Sequence, residues 1–143
     1  MKTTKTWNIL VVEDQLGDVH LIKMAVEAWP EVVLYSVPNA VQAHQFVLRK
    51  APFENVPIPD LVLLDLRMPI YDGSTVLTAI HGNPDFAECK VVVFTSSTLL
   101  ADQSRCKKLG AHDYVNKPTD WPAWKETLRD ILHKHLKGFA EPT

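Results

Sequence analysis

The sequence predicts an α/β fold, a doubly wound (βα)₅ unit around one five-stranded parallel sheet. Three observations lead there. Short apolar, β-branched runs recur along the 143 residues. Segments with helical spacing separate them. The run "LVLL" at 61–64 is apolar on both faces, as a strand covered by helices on each side must be. The length fits a single domain over 1–143, with a core of 7–137 and short tails at 1–6 and 138–143.

The elements follow in order. "NILVV" (8–12) is the first strand. Over 16–29, Leu16, Val19, Ile22, Val26 and Trp29 keep a spacing of three to four and predict the first helix. "VVLYSV" (32–37) is the second strand. Asn39 caps a second helix over 40–50. The Pro-containing stretch "APFENVPIP" (51–59) reads as a loop before "LVLL". Residues 73–81 form a short third helix, and "KVVVF" (90–94) the fourth strand. A fourth helix spans 99–109 and ends at Gly110 in the C′ position. "HDYVN" (112–116) is the fifth strand. Asp120 caps the last helix, Pro122 sits in its first turn, and Trp124, Leu128 and Ile131 form its buried stripe. Right-handed crossovers make the sheet parallel. The expected strand order is the flavodoxin-like 2-1-3-4-5, with strands 1 and 3 side by side.

Composition narrows the function classes. A net charge of −2 gives no basic footprint for nucleic acid. No run approaches a membrane span or a signal-peptide core. Cys89 and Cys106 lack metal spacing and form no disulfide framework, which fits a reducing, cytoplasmic setting. His133 and His135 lie two apart on a helix, point to different faces, and read as surface residues. Cys106 reads as a packing or surface residue of the fourth helix and Trp124 as core. Trp121 stands between core and binding surface.

Ligands of such sheets bind at the carboxyl ends of the strands, so the strand ends are where chemistry is expected. The first strand ends at Glu13 and Asp14, the third at Asp65, the fourth at Thr95 and the fifth at Lys117. Three carboxylates brought together repel one another, and a hard divalent cation relieves this. Mg²⁺ takes carboxylates, waters and phosphate oxygens. Asp14 and Asp65 are the expected direct ligands, Glu13 one acting through water, and the Arg67 backbone carbonyl a further oxygen. Lys117 is then a compact charge aimed at a phosphoryl group or at Asp65. So equipped, Asp65 can attack phosphorus as a carboxylate nucleophile. Mg²⁺, Lys117, Thr95 and nearby backbone N–H groups would stabilise the transferring oxygens.

The segments "ILVVED", "LVLLDLRMPIYDG", "VVVFTSS" and "GAHDYVNKP", in this order, resemble the response-regulator receiver domain of two-component signalling. The resemblance spans roughly residues 7–137. It implies that Asp65 accepts a phosphoryl group from a histidine kinase, with Glu13 and Asp14 as the acid pair and a cis bond before Pro118. It also implies that Thr95 and Tyr114 form a switch pair altering the face of the fourth helix, fifth strand and fifth helix. Only "GFAEPT" follows the last helix, so a stand-alone receiver is expected, with a homodimer through that face and Trp121 as a surface anchor. "EDQLGDVHLIKMAVEAW" further resembles small regulators serving phytochrome-type and hybrid histidine kinases.

Bland readings stand beside these. Asp65 alone could be a turn residue, Glu13 and Asp14 could merely favour a helix dipole, Lys117 could be a solvated surface lysine, and Thr95 and Tyr114 ordinary strand residues. Three other functions compete. An FMN carrier needs a phosphate-binding loop after the first strand, where this chain has the acidic "EDQLGD". A haloacid-dehalogenase-type phosphatase needs a second acid two residues past its nucleophile, where this chain has Arg67, close to the path of a hydrolytic water. A degenerate receiver acting as a scaffold would not need the full polar set.

Overall fold

The apolar runs become the strands of one sheet in a computed structural model that describes residues 5–68 and 72–139. The strands are β1 (Trp7–Val12), β2 (Val32–Val37), β3 (Leu61–Leu64), β4 (Lys90–Thr95) and β5 (Asp113–Asn116). All pairs are parallel, in the order β2-β1-β3-β4-β5. The predicted topology is therefore the observed one. The helices are α1 (Leu16–Val26), α2 (Ala40–Val47), α3 (Ser74–His81), α4 (Leu100–Lys108) and α5 (Trp121–His135).

Alternation along the strands builds two cores. Ile9, Val11, Leu61, Leu63, Val92 and Phe94 point to one face, where Ile22 and Val26 of α1 and Trp124, Leu128 and Ile131 of α5 cover them. Leu10, Val12, Val62, Leu64, Val91 and Val93 point to the other, under Phe46, Leu77, Ile80 and Cys106. β1, β3 and β4 are thus apolar on both sides because helices close both sides.

Local signals decide where helices begin and end. The Asn39 side chain accepts from Gln42 N–H, and Asp120 from Ala123 N–H, as capping residues do. α4 ends in a Schellman turn: Gly110, at φ 103°, donates to Lys107 O, and Ala111 donates to Cys106 O. α2 stops at Val47, short of residue 50, because Arg49 takes a left-handed conformation (φ 55°). Lys50 N–H then reaches back to Gln45 O. α1 stops at Val26 ahead of Pro30, with Trp29 still buried one turn beyond.

Several expectations are corrected. Leu16 is 80% exposed and leaves the apolar stripe; it opens α1 at the rim, where no layer covers it. His135 is not a surface residue. Its Nε2 lies 2.9 Å from Asp113 Oδ2, because the last turn of α5 packs over the start of β5. Trp121 lines a groove between α1 and α5 with Trp29 and Pro122, away from the α4 side of the sheet. The Lys117–Pro118 bond is trans, and among the described residues the cis bond is Ala51–Pro52. Cys106 is fully buried and Trp124 belongs to the core. Pro69, the end of the run that began at Leu61, lies outside the described residues, as do most of the two tails.

Candidate functional site at the carboxyl end of the sheet

β1 and β3 are neighbours in register, Val12 opposite Leu64, so the residues that follow them meet at one edge. The Asp65 N–H donates to Val12 O, which fixes the strand end from which the carboxylate projects. Glu13, Asp14 and Asp65 each offer a carboxylate oxygen, and these atoms lie within 4.8 Å of one another. Glu13 is 3% and Asp65 4% exposed. Such crowding of buried acids requires compensation.

Lys117 supplies part of it. Its side chain is almost wholly buried, and its three N–H groups have three carboxylate partners: Glu13, Asp18 at 2.7 Å and Asp65 at 3.1 Å. Burial alone would lower the ammonium's pKa; the hydrogen bonds to Asp18 and Glu13 and the charge of Asp65 hold it above the usual lysine range. Burial pushes the Glu13 carboxyl up to about 7, with the nearby Asp65 charge adding to the rise, although the Lys117 bond pulls the other way.

At this rim Asp14 Oδ1 is buried and accepts no hydrogen bond from the described residues. An orphaned carboxylate oxygen beside two further carboxylates is what a hard cation would satisfy. The donor set is all oxygen, which suits Mg²⁺ or Mn²⁺. The residues present fit such an ion.

Thr95 lies two positions past Val93, the register partner of Leu64, and so stands on the same rim, fully buried. Its Oγ1 accepts from Ser97 N–H at 3.3 Å. Lys117 N–H donates to Thr95 O, tying the ends of β4 and β5 together. Tyr114 is half-buried, and its hydroxyl donates to Ser97 O at 2.9 Å, a carbonyl that also accepts from Asn116 Nδ2 at 2.6 Å. Arg67 N–H donates to Asp65 Oδ1 at 3.3 Å. The rim thus gathers Glu13, Asp14, Asp65, Thr95 and Lys117, with Arg67 and Tyr114 at its border.

Three participants went unread in the sequence. Asp18 shares Lys117 with the acids, and its signal was present: it is an acid in the first turn of α1, the helix that begins directly after Glu13 and Asp14. Ser97 and Asp102, joined by a 2.6 Å bond, gave no signal, because α4 could not be aligned on the β3 loop from spacing alone.

Comparison with known proteins shows the family. The family model for the response regulator receiver domain matches residues 9–129. The response regulator Rcp1 of Synechocystis sp. is 34% identical over 110 residues, covering 76% of this chain and 75% of Rcp1. The crystal structure of the phosphorylated cyanobacterial phytochrome response regulator RcpA has a TM-score of 0.87 at 26% identity, covering 96% of this chain and 99% of RcpA. The Mn²⁺-bound form of Rcp1 has a TM-score of 0.84 at 29% identity, with the same coverage. A protein-glutamate methylesterase of Geobacter sulfurreducens, 29% identical over 131 residues, is matched over only 33% of its length. With strand order, rim and family match in agreement over most of its length, the chain belongs to the response regulator receiver domain family.

Proposed function

We propose that this receiver is a phosphorylation switch. Asp65 attacks the phosphorus of a histidine kinase's phosphohistidine; a P–O bond forms as the P–N bond breaks, and the electron pair leaves with the imidazole. The observation that carries this reading is the ammonium of Lys117 at 3.1 Å from a buried Asp65 carboxylate, beside the partnerless oxygen of Asp14. Asp14, Asp65 and the Arg67 carbonyl are the ligands proposed for Mg²⁺, with Glu13 acting through water. When bound, the ion neutralises charge on the phosphoryl oxygens. Lys117 orients the incoming group, and Thr95 donates to it after giving up Ser97 N–H. Tyr114 follows Thr95, altering the face of α4, β5 and α5 for partner binding or a homodimer. The phosphorylated RcpA and Mn²⁺-bound Rcp1 relatives support this reading, and RcpA, a phytochrome response regulator, supports a phytochrome-type kinase as the donor.

The protein acts on itself and not as a turnover enzyme. A phosphatase of the haloacid-dehalogenase type would need an acid where Arg67 stands. The setting proposed for this receiver is the cytoplasm, where it would meet a histidine kinase. Among the described residues no helix is long and apolar enough to cross a membrane.

The test is mass spectrometry after incubation with a small phosphodonor and Mg²⁺. A single added phosphate, absent in Asp65→Asn, is expected. Multiple turnover of the donor would point to a phosphatase, and no adduct to a scaffold.

The pH dependence of cation binding is a second test. With the Glu13 carboxyl pushed up to about 7, protons compete with the ion below that pH. Affinity for Mg²⁺, read by calorimetry, should rise from roughly pH 6 to roughly pH 8 and then level. Without the ion the linkage has the opposite sense. A raised carboxyl pKa contributes stability below the unfolded value of 4.5 that is lost as pH rises through about 7. Glu13→Gln should flatten both profiles. Profiles unchanged by that substitution would remove Glu13 from the site.

A further inference from the structure

We infer that Arg67 and Asp102 form a latch between the loop after Asp65 and α4, and that a tetrahedral anion on Asp65 opens it. The inference deepens the phosphoacceptor reading and rests on it.

α4 is the least anchored helix: Cys106 is its one buried side chain. Polar ties do the rest. Arg67 Nη2 lies 3.1 Å from Asp102 Oδ2. Asp102 Oδ2 also accepts from the Ser97 hydroxyl at 2.6 Å. Arg105 reaches Asp72 at 3.1 Å and Asp102 at 3.4 Å. Asp102 therefore gathers the phosphoacceptor loop, the β4–α4 loop and its own helix at one carboxylate.

Arg67 stands between two acids. Its backbone N–H is already on Asp65, and its guanidinium is on Asp102 with 61% of the side chain exposed. Asp102 keeps only 16% of its side chain exposed, but the guanidinium end of the pair is open to solvent, and a pair so screened is weak. A phosphoryl group two residues away carries more charge and three acceptor oxygens, and a guanidinium matches it bidentately. Arg67 then leaves Asp102. Ser97 loosens at the same moment, because its N–H partner is Thr95 Oγ1, the hydroxyl drawn to the same group. α4 keeps Cys106 and the Arg105–Asp72 pair, and its first turn, with Leu99 56% and Leu100 81% exposed, becomes free to shift. The same charge would occupy Arg67, which in the resting state spans both acids.

Hydrogen-exchange mass spectrometry tests this, with beryllofluoride and Mg²⁺ as the phosphoryl mimic. In the wild type, beryllofluoride should slow exchange in the peptide over 61–68 and speed it in the peptide over 99–108. Arg67→Ala and Asp102→Asn should speed α4 exchange without the mimic, by about two- to fivefold, the size of an exposed pair. The α1 and α5 peptides should not change. Because both act on one contact, the double variant should add little to either single one. Arg67→Lys, which keeps the charge, should lie near the wild type. If Arg67→Ala leaves α4 exchange unchanged, the latch is wrong. If beryllofluoride protects 61–68 and α4 does not respond, the latch is wrong and the phosphoacceptor reading stands. If 61–68 never responds, that reading falls, and with it the trigger of the latch.

Discussion

Lys117→Ala is expected to lower stability by about 3–5 kcal/mol at neutral pH, the usual cost of stripping one partner from buried charges. The lysine's side chain is 6% exposed and serves Glu13, Asp18 and Asp65 together. Without it the acids face one another in a buried pocket. The Glu13 carboxyl, already pushed up to about 7 by burial, loses the hydrogen bond that restrained it and rises further. A carboxyl raised in the folded state loses stability as pH increases, because the unfolded chain ionises first. The difference between variant and wild type should therefore widen from roughly pH 5 to roughly pH 8 in urea unfolding curves. Mg²⁺ should stabilise the variant more than the wild type, since a bound cation takes over the missing charge. Adduct formation from a small phosphodonor should fall by about 10²-fold, the scale of one lost electrostatic donor. A variant as stable as the wild type at the upper end of that pH range would mean that the three ion pairs do not form.

The same site shows what sequence could and could not reveal. Periodicity alone located Leu61–Leu64 and its neighbours, because a strand buried on both faces leaves no polar position to confuse the pattern. Strand ends then named Glu13, Asp14, Asp65, Thr95 and Lys117, since a parallel sheet brings all its carboxyl ends to one edge. Side-chain partnerships were less legible. That Lys117 divides itself among three acids follows from the angle at which α1 leaves β1. His135 looked solvated because its partner, Asp113, is 22 residues away on β5. Leu16 looked buried because spacing does not say where the sheet stops. Trp121 was assigned to the α4 side and instead turns toward α1, since the rotation of α5 about its axis depends on the packing of Trp124 and Leu128. The end of α2 was missed because one residue's backbone decided it, at Arg49, and the end of α1 because Trp29 stays buried beyond the last helical turn and so continues the apolar spacing.

Gly73→Ala is expected to disrupt the site from behind, without touching a single reacting group. Gly73 has an ordinary helical backbone (φ −60°), so alanine carries no conformational penalty there. The obstacle is space. A Cβ on Gly73 would lie inside the contact distance of the Asp65 carbonyl oxygen and 3.2 Å from both Asp65 C and Leu64 Cδ1. Backbone oxygen cannot rotate aside as a side chain can. The loop is also pinned from the other end, since Gly73 N–H donates to Leu66 O at 3.1 Å and its own carbonyl accepts from Val76 and Leu77 at the start of α3. Overpacking of this kind costs about 1–3 kcal/mol. The relief available is to push Asp65 away from Lys117, and a displacement near 1 Å can cost about 10²-fold in a positioned reaction. Both losses should appear together, in thermal unfolding and in the rate of adduct formation, and Mg²⁺ affinity should weaken with them. Gly17→Ala supplies the contrast. Gly17 lies within α1 with no atom near its Cβ position, so alanine there should raise stability by about 0.5–1 kcal/mol and leave phosphorylation unchanged. If the two alanines behave alike, the close approach of Gly73 to the strand end is not what holds Asp65 in place.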